Sequence, residues 1–174
     1  MHLDRPPALS LLSAAVAASD PYYQSPDLVI AHRDRVCIAL CRGEITADLI
    51  KRAQDGVLAL AKGNSSGVAY LFVLAEGAGI PASLRDAIGK MFDAIRPHLR
   101  VISGHIAGSG FRASAMRSLF TFATSRILKG TPVKAHGDLV EATLWLEARC
   151  KEATLGCPPS KDLHALVTRL GAPT

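Results

Sequence analysis

The sequence predicts a single α/β domain built on a mixed β-sheet, and three observations support this prediction. Short apolar runs typical of buried strands alternate with longer segments in which apolar residues recur at helical spacing. The length of 174 residues and the hydrophobic fraction of 49% suit one core with tails better than two full domains. A glycine turn within residues 101–117 joins a strand to a helix, as in open α/β sheets. We therefore expect about five strands and four helices, with a further helix at each end of the chain.

The first half of the chain predicts a hairpin, a helix and a buried strand. Two β-rich runs at 27–32 and 35–42 are separated by a polar tetrad, which predicts antiparallel strands. Thr46 is predicted to cap a helix that ends at the Gly- and Ser-rich stretch 63–67. The almost unbroken apolar run 68–75 then predicts a central strand covered on both faces.

The second half predicts strands and helices in regular alternation. Helices are predicted at 82–98, 111–129 and 139–151, strands at 100–107 and 132–136, and a short final helix at 161–170. Because crossovers between parallel strands are right-handed, this order predicts a mixed sheet with helices packed on it.

The chain divides into a central domain and two tails. We predict an N-terminal apolar helix and linker at 1–26, the α/β domain at 27–152, and a C-terminal linker and helix at 153–174. The apolar run 8–18 is interpreted as a helix laid on the domain, and a cleaved leader ending near 15–17 is the alternative. About eleven apolar residues are too few to span a bilayer, so no integral membrane segment is predicted.

The charge pattern argues against nucleic-acid binding. The formal net charge is +5 and the pI is about 9.2, but the basic residues are spread along the chain among acidic ones. Nucleic-acid binding needs a basic stripe, usually with aromatic side chains that stack on bases, and aromatic residues make up only 5% of the chain. We therefore expect a protein or a small molecule as the partner.

The four cysteines predict neither a disulfide nor a metal site. Cys37 and Cys41 lie in one predicted strand with Cα atoms about 13 Å apart, so they are expected to be buried apolar groups on one side of it. Cys150 and Cys157 flank a helix end without zinc-ligand spacing and are interpreted as unpaired thiols. Four free thiols predict a reducing, cytoplasmic compartment.

Three stretches carry a family resemblance. They are the opening hairpin, the apolar strand that ends at Ala75-Glu76, and the closing strand and Ala/Leu-rich helix within 132–146. Over roughly residues 27 to 150 the chain resembles the STAS domain, the family of sulfate-transporter tails and anti-sigma factor antagonists, including its STAS/SEC14-like relatives. The resemblance implies a bacterial-type signalling or regulatory domain that acts through protein association.

The resemblance also points to a serine. In the antagonist branch a serine at the start of the helix after the third strand is phosphorylated, within an Asp-Ser-Ser-Gly type motif that this chain lacks. Ser83 lies closest to that position and is the candidate phospho-acceptor, with Arg85 beside it to pair with a phosphate. The alternative is that Ser83 is simply a capping or first-turn hydroxyl.

A glycine turn is the second candidate site. Gly108, Ser109 and Gly110 precede a predicted helix whose amide groups would face an anion, and Phe111 and Arg112 follow at once. This pattern predicts a partner or anion site, although glycines here also permit a tight turn from strand to helix. It matches neither a Walker loop nor a dinucleotide fingerprint.

No residue pattern predicts catalysis, a metal or a cofactor. The six histidines show no helical pair spacing, and His105 in the fourth strand is interpreted as a buried histidine rather than as a general base. Glu44, Glu76 and Asp86 fall near strand ends, but nothing in the sequence pairs any two of them.

Two functions follow as hypotheses. The first is a non-enzymatic STAS-like regulatory or scaffold domain that binds a protein partner or itself, switched by phosphorylation or an anion. The second is a small-molecule binding module for a nucleotide or a hydrophobic ligand at the loops 76–83 and 108–112, which follow strand ends. An enzyme is a third class, for which the sequence offers no recognisable nucleophile or metal spacing.

Overall fold

Residues 21–78 and 80–171 of the chain are described by a computed structural model. They form an α/β fold in which helices cover both faces of one mixed sheet, as the sequence predicts. The predicted N-terminal helix and its apolar run 8–18 lie outside the described residues. Within the two described ranges, the helices are too short or too polar to cross a membrane.

The described sheet has six strands whose order in space follows their order in the chain. They are β1 (Tyr23–Gln24), β2 (Leu28–Arg33), β3 (Val36–Cys41), β4 (Val68–Leu74), β5 (Leu99–Ile106) and β6 (Val133–His136). Neighbours among β1, β2 and β3 are antiparallel, whereas neighbours from β3 to β6 are parallel.

The opening of the sheet confirms the predicted hairpin and adds one strand to it. Arg33 and Val36 face each other across a two-residue turn, in which Asp34 takes a positive φ of 50°. β1 lies in the segment predicted as a linker and pairs with the edge of β2. A two-residue strand between Pro21 and Pro26 shows no alternation, so its sequence resembles a loop.

Five α-helices follow the predicted segments. They are α1 (Ala47–Lys62), α2 (Arg85–Ile95), α3 (Gly110–Ile127), α4 (Leu139–Glu152) and α5 (Ser160–Arg169). Thr46 caps α1 as predicted, since its hydroxyl accepts a hydrogen bond from the Leu49 amide at 3.3 Å. The helix predicted at 82–98 is divided into a 3-10 turn, α2 and a second 3-10 turn that contains Pro97, which lacks the N–H that a continuing helix needs.

Three helices cover one face of the sheet and two cover the other. Successive right-handed crossovers carry α1, α2 and α3 to the same face, and α4 and α5 pack on the opposite one. Alternation along β3 follows this division, because Cys37 and Ala39 face α1–α3 whereas Ile38 and Leu40 face α4–α5. We call these two sides the α1–α3 face and the α4–α5 face.

The cysteine prediction holds for one pair and is wrong for the other. Cys37 and Cys41 are buried free thiols on the α1–α3 face, as predicted. Cys150 and Cys157, predicted as unpaired, form a disulfide with Cα atoms 6.1 Å apart. After α4 the chain reverses at Thr154, whose φ is 52°, and this turn returns Cys157 to the helix end. Sequence spacing does not reveal such a reversal, since left-handed residues after helices are usually glycine.

Helix α5 completes the α4–α5 face. Leu163 and Val167 are fully buried against the sheet and α4. Glu147 of α4 accepts a hydrogen bond from the Ser160 amide at 2.7 Å, which satisfies one free N–H at the start of α5. Its bond from Lys151 at 2.6 Å is the main cause that lowers the pKa of Glu147 to about 2, and the Ser160 bond adds to it. The final helix therefore belongs to the same core as the sheet.

Candidate functional site

An apolar cavity lies on the α1–α3 face, between the three helices and the sheet. Its volume is about 660 Å³, within the range of about 300–1,000 Å³ that is typical of small-molecule sites. The helical part of its lining is Leu49, Ile50 and Ala53 from α1, Ile88, Met91 and Phe92 from α2, and Ala115, Met116, Phe120 and Thr124 from α3. A partly open apolar cavity of this size is a candidate ligand site.

The cavity occupies the space between a pair of helices and a third helix. Helix α1 packs against α2, whereas α3 lies mainly on β5 and β6. The Phe120 side chain of α3 stacks on Phe72 of β4 with ring centroids 5.7 Å apart. Gly104 permits this close approach, since a Cβ at that position would lie 3.3 Å from the Phe120 ring. This aromatic pair forms part of the cavity wall at the sheet.

The residues on the sheet side of the cavity disfavour charged groups. Tyr70 and Cys41 line this side of the cavity, and the two residues are only 2% and 5% exposed. Burial raises the pKa of Tyr70 well above its usual value and raises the pKa of Cys41 to about 12, so both groups stay neutral near pH 7. The hydroxyl of Thr124 donates to the Phe120 carbonyl of its own helix. The inner lining thus offers an apolar environment without ionised groups.

The cavity opens toward the carboxyl ends of the parallel strands. Ile80 and Arg85 follow the end of β4, and Phe111 follows the end of β5. The Arg85 side chain is exposed, and Phe111 is 90% exposed. Open α/β sheets commonly bind ligands at this edge. We call Ile80, Arg85 and Phe111 the mouth of the cavity.

Two of the predicted site residues line this mouth. Arg85 and Phe111 were predicted from separate loops, and the fold brings both to the rim of one cavity. Ser83 is exposed in the 3-10 turn before α2, where Leu84 is the residue at the N-cap position. Ser83 is therefore an exposed residue that does not cap α2.

The glycine turn has the geometry that a tight turn requires. Gly108 and Gly110 have positive φ values of 108° and 82°, which favour glycine. Ser109 occupies the N-cap position of α3, but its side chain makes no capping hydrogen bond. The carbonyls of Gly108 and Ile106 accept hydrogen bonds from the Arg117 guanidinium at 3.2 and 3.1 Å, which tie the turn to α3. The Arg112 side chain lies outside the described part of the structure.

His105 lies on the opposite face from the cavity. It is in register with His136 of β6, and both residues are 5% exposed. Burial is the main cause that lowers the pKa of both imidazoles. The His105 Nδ1 atom has no hydrogen-bond partner within the described ranges, so the buried position is as predicted but the expected hydrogen bond at this nitrogen is not found. Among the described residues, no group of three or more His, Cys, Asp or Glu side chains is arranged to hold a metal ion.

The α1 side of the cavity was not predicted as a site. Leu49, Ile50 and Ala53 carry the helical apolar spacing from which the sequence predicts a core face. Residues that line a cavity and residues that fill a core share this spacing, so no sequence signal separates them. The cavity becomes visible only when the distance between helices is known.

Comparison of the chain with protein-family models, with curated proteins and with solved structures found no match. The resemblance to STAS domains therefore stays a prediction from the residues quoted above.

Proposed function

We propose that the domain is a non-enzymatic binding module that holds one hydrophobic small molecule in the cavity of the α1–α3 face. The observation that carries this proposal is a cavity of about 660 Å³ in which Arg85 is the one charged residue among the described lining. Transfer of apolar surface from water into such a cavity contributes about 25 cal/mol per Å². A nucleotide fits this lining poorly, because its phosphates need several donors or cations.

The test is saturable binding of an uncharged fluorescent probe, N-phenyl-1-naphthylamine. We expect one probe per chain, with affinity reduced about tenfold in Ala53→Phe because the larger side chain occupies ligand volume. Ala148→Phe, at an exposed position on α4, is the matched control and should bind as the wild type does. If Ala53→Phe is unstable, Ala115→Phe replaces it as the test variant, because it places a large side chain in the cavity from the α3 side. Absence of saturable binding to the folded wild type would reject the proposal.

A second candidate function is the STAS-like regulatory or scaffold role through protein association. The observation that favours it is Phe111, a large apolar side chain that is 90% exposed at the rim where Ser83 and Arg85 are also exposed. Exposed aromatics are frequent anchors of protein interfaces. In this proposal a partner or a second copy binds the rim, and phosphorylation of Ser83 changes the charge beside Arg85.

The regulatory proposal is tested by photo-crosslinking from position 111. A benzophenone side chain at Phe111 should crosslink a defined partner or a second copy in native lysate, whereas the same group at Val140, 48% exposed on α4, should not. Ser83→Ala should abolish any phosphopeptide that maps to this turn. Equal crosslinking from both positions, or none from either, contradicts the regulatory role.

The cytoplasmic location also stays a proposal. It was inferred from four free thiols, and the Cys150–Cys157 disulfide removes two of them. Stable disulfides are typical of oxidising compartments. Alkylation of the protein in intact cells, followed by mass spectrometry of both cysteines, tests the location, because a fully reduced pair is expected in the cytoplasm.

A further inference from the structure

The cavity has a buried end and an exposed end. Tyr70 is the third residue of β4, so it lies about 13 Å along the strand from Leu74, where the strand ends toward the mouth. Tyr70 is 2% exposed, whereas Arg85 and Phe111 at the mouth are exposed. The cavity therefore suits a ligand with an extended apolar part and a polar group at one end only.

The position of Arg85 runs against local helix preference. It is the first residue of α2, where the partial positive charge of the helix terminus disfavours a cation. Its side chain nevertheless lines the cavity, and it is the one charged side chain that does so among the described residues. Asp86 and Glu76 add carboxylates near this rim without lining the cavity. A single cation at the rim suits a ligand with one negative charge better than one with two.

The buried end excludes the charged part of such a ligand. Tyr70 is almost fully buried at this end, and burial raises its pKa well above the usual value, which means that the lining here disfavours ionised groups of either protein or ligand. The planar guanidinium of Arg85 presents two parallel N–H donors that match the two oxygens of a carboxylate. The charged group is therefore expected at the mouth.

We infer that the ligand is a single-chain amphiphile with one carboxylate, such as a long-chain fatty acid, whose chain lies in the cavity toward Tyr70 and whose carboxylate pairs with Arg85. This inference rests on the proposed binding function and adds the chemical class of the ligand and its orientation. Chain length should set most of the affinity, with each methylene tightening the Kd about three- to fourfold until the cavity is filled.

The experiment is displacement of bound N-phenyl-1-naphthylamine by dodecanoate, methyl dodecanoate and dodecyl phosphate. Arg85→Gln should weaken dodecanoate binding about two- to fivefold, the range for an exposed ion pair, and should leave methyl dodecanoate binding unchanged. Arg96→Gln makes the same charge change at an exposed position beyond the other end of α2, outside the cavity lining, and should bind as the wild type does. Thermal unfolding should show no loss of stability in Arg85→Gln, which separates a ligand contact from a structural role.

Three results would overturn the inference while leaving the cavity function in place. They are equal affinity for dodecanoate and its methyl ester in the wild type, an equal effect of Arg85→Gln on both, and tighter binding of dodecyl phosphate than of dodecanoate. In each case the neutral probe still binds the wild type. Failure of the probe itself to bind would reject the binding function and this inference together.

Discussion

The two faces of the sheet are built from the same kinds of apolar residue but are filled differently. On the α4–α5 face, Leu146 and Leu163 are fully buried, the disulfide ties α4 to the segment that precedes α5, and the Glu147 carboxylate accepts a hydrogen bond from the start of α5. On the α1–α3 face, the helices leave a cavity of about 660 Å³ above Tyr70 and Phe72. One face therefore acts as a structural core, and the other has room for a ligand. The predictions below test this difference, beginning with the largest expected effect.

Truncation of a leucine should be much more costly on the filled face. Leu146→Ala removes a fully buried side chain and leaves a void, so the free energy of unfolding should fall by about 2–5 kcal/mol. Leu49→Ala is the matched substitution on α1, where the side chain is half-buried and already borders a void, and it should cost about 1–2 kcal/mol. Urea denaturation measures both. Equal losses would show that the two faces are packed alike.

Reduction of the disulfide should destabilise the α4–α5 face. The bond joins cysteines that are 7 residues apart, and in the chain-entropy model closure of such a short loop is worth about 2–3 kcal/mol. Dithiothreitol should therefore lower the Tm of the wild type but not that of Cys157→Ala, which already lacks the bond. A wild-type Tm that is insensitive to reduction would contradict a stabilising role.

Added volume should be tolerated on one face only. Ala142 of α4 is fully buried, so Ala142→Leu should cost about 1–3 kcal/mol through overpacking. Ala53 borders the cavity, so Ala53→Leu should change the free energy of unfolding by less than about 0.5 kcal/mol or increase it. Urea denaturation of both variants compares the free volume of the two faces directly. A large loss in Ala53→Leu would mean that the cavity collapses in solution.

Acid should destabilise the fold first through the buried imidazoles of the α4–α5 face. The pKa values of His105 and His136 are lowered by burial, so the unfolded chain binds protons more readily and the fold loses stability as pH falls below about 6.5. Burial also lowers the pKa of His32 on the α1–α3 face, so this residue too reduces the stability of the fold as the pH falls. His136→Gln should flatten the dependence of the urea midpoint between pH 7.5 and pH 5, whereas His98→Gln, at an exposed position, should not. An unchanged slope in His136→Gln would contradict this assignment.

Sequence reasoning identified two residues at the mouth of the cavity but did not predict the shape of the cavity. Arg85 was identified as the neighbour of Ser83, the serine to which the STAS resemblance points, and Phe111 was identified because it follows the glycine turn at the end of a strand. The glycine turn at Gly108 and Gly110 was predicted because only a few backbone conformations join a strand to a helix so tightly. That these residues border one apolar cavity did not follow, since the third wall comes from α1, far away in the sequence.

The disulfide illustrates the same limit at short range. Cys150 and Cys157 were judged by spacing alone, and spacing gives a distance only when the path between two residues is regular. The chain instead reverses at Thr154, a residue type that seldom adopts a left-handed conformation. The disulfide between these cysteines, which are 7 residues apart, was therefore not predicted, because it depends on one unusual backbone angle.

The sequence by itself determined the class of fold, the order of the strands and α-helices that follow β1, and the position of the buried strands. Periodicity is a local property, because strand and helix geometry fix which side chains share a face. Only the tertiary structure decided that one apolar face is filled while the other leaves a partly open cavity whose mouth carries Arg85. The distance between packed helices depends on contacts summed over the whole sheet, and no local pattern encodes that sum.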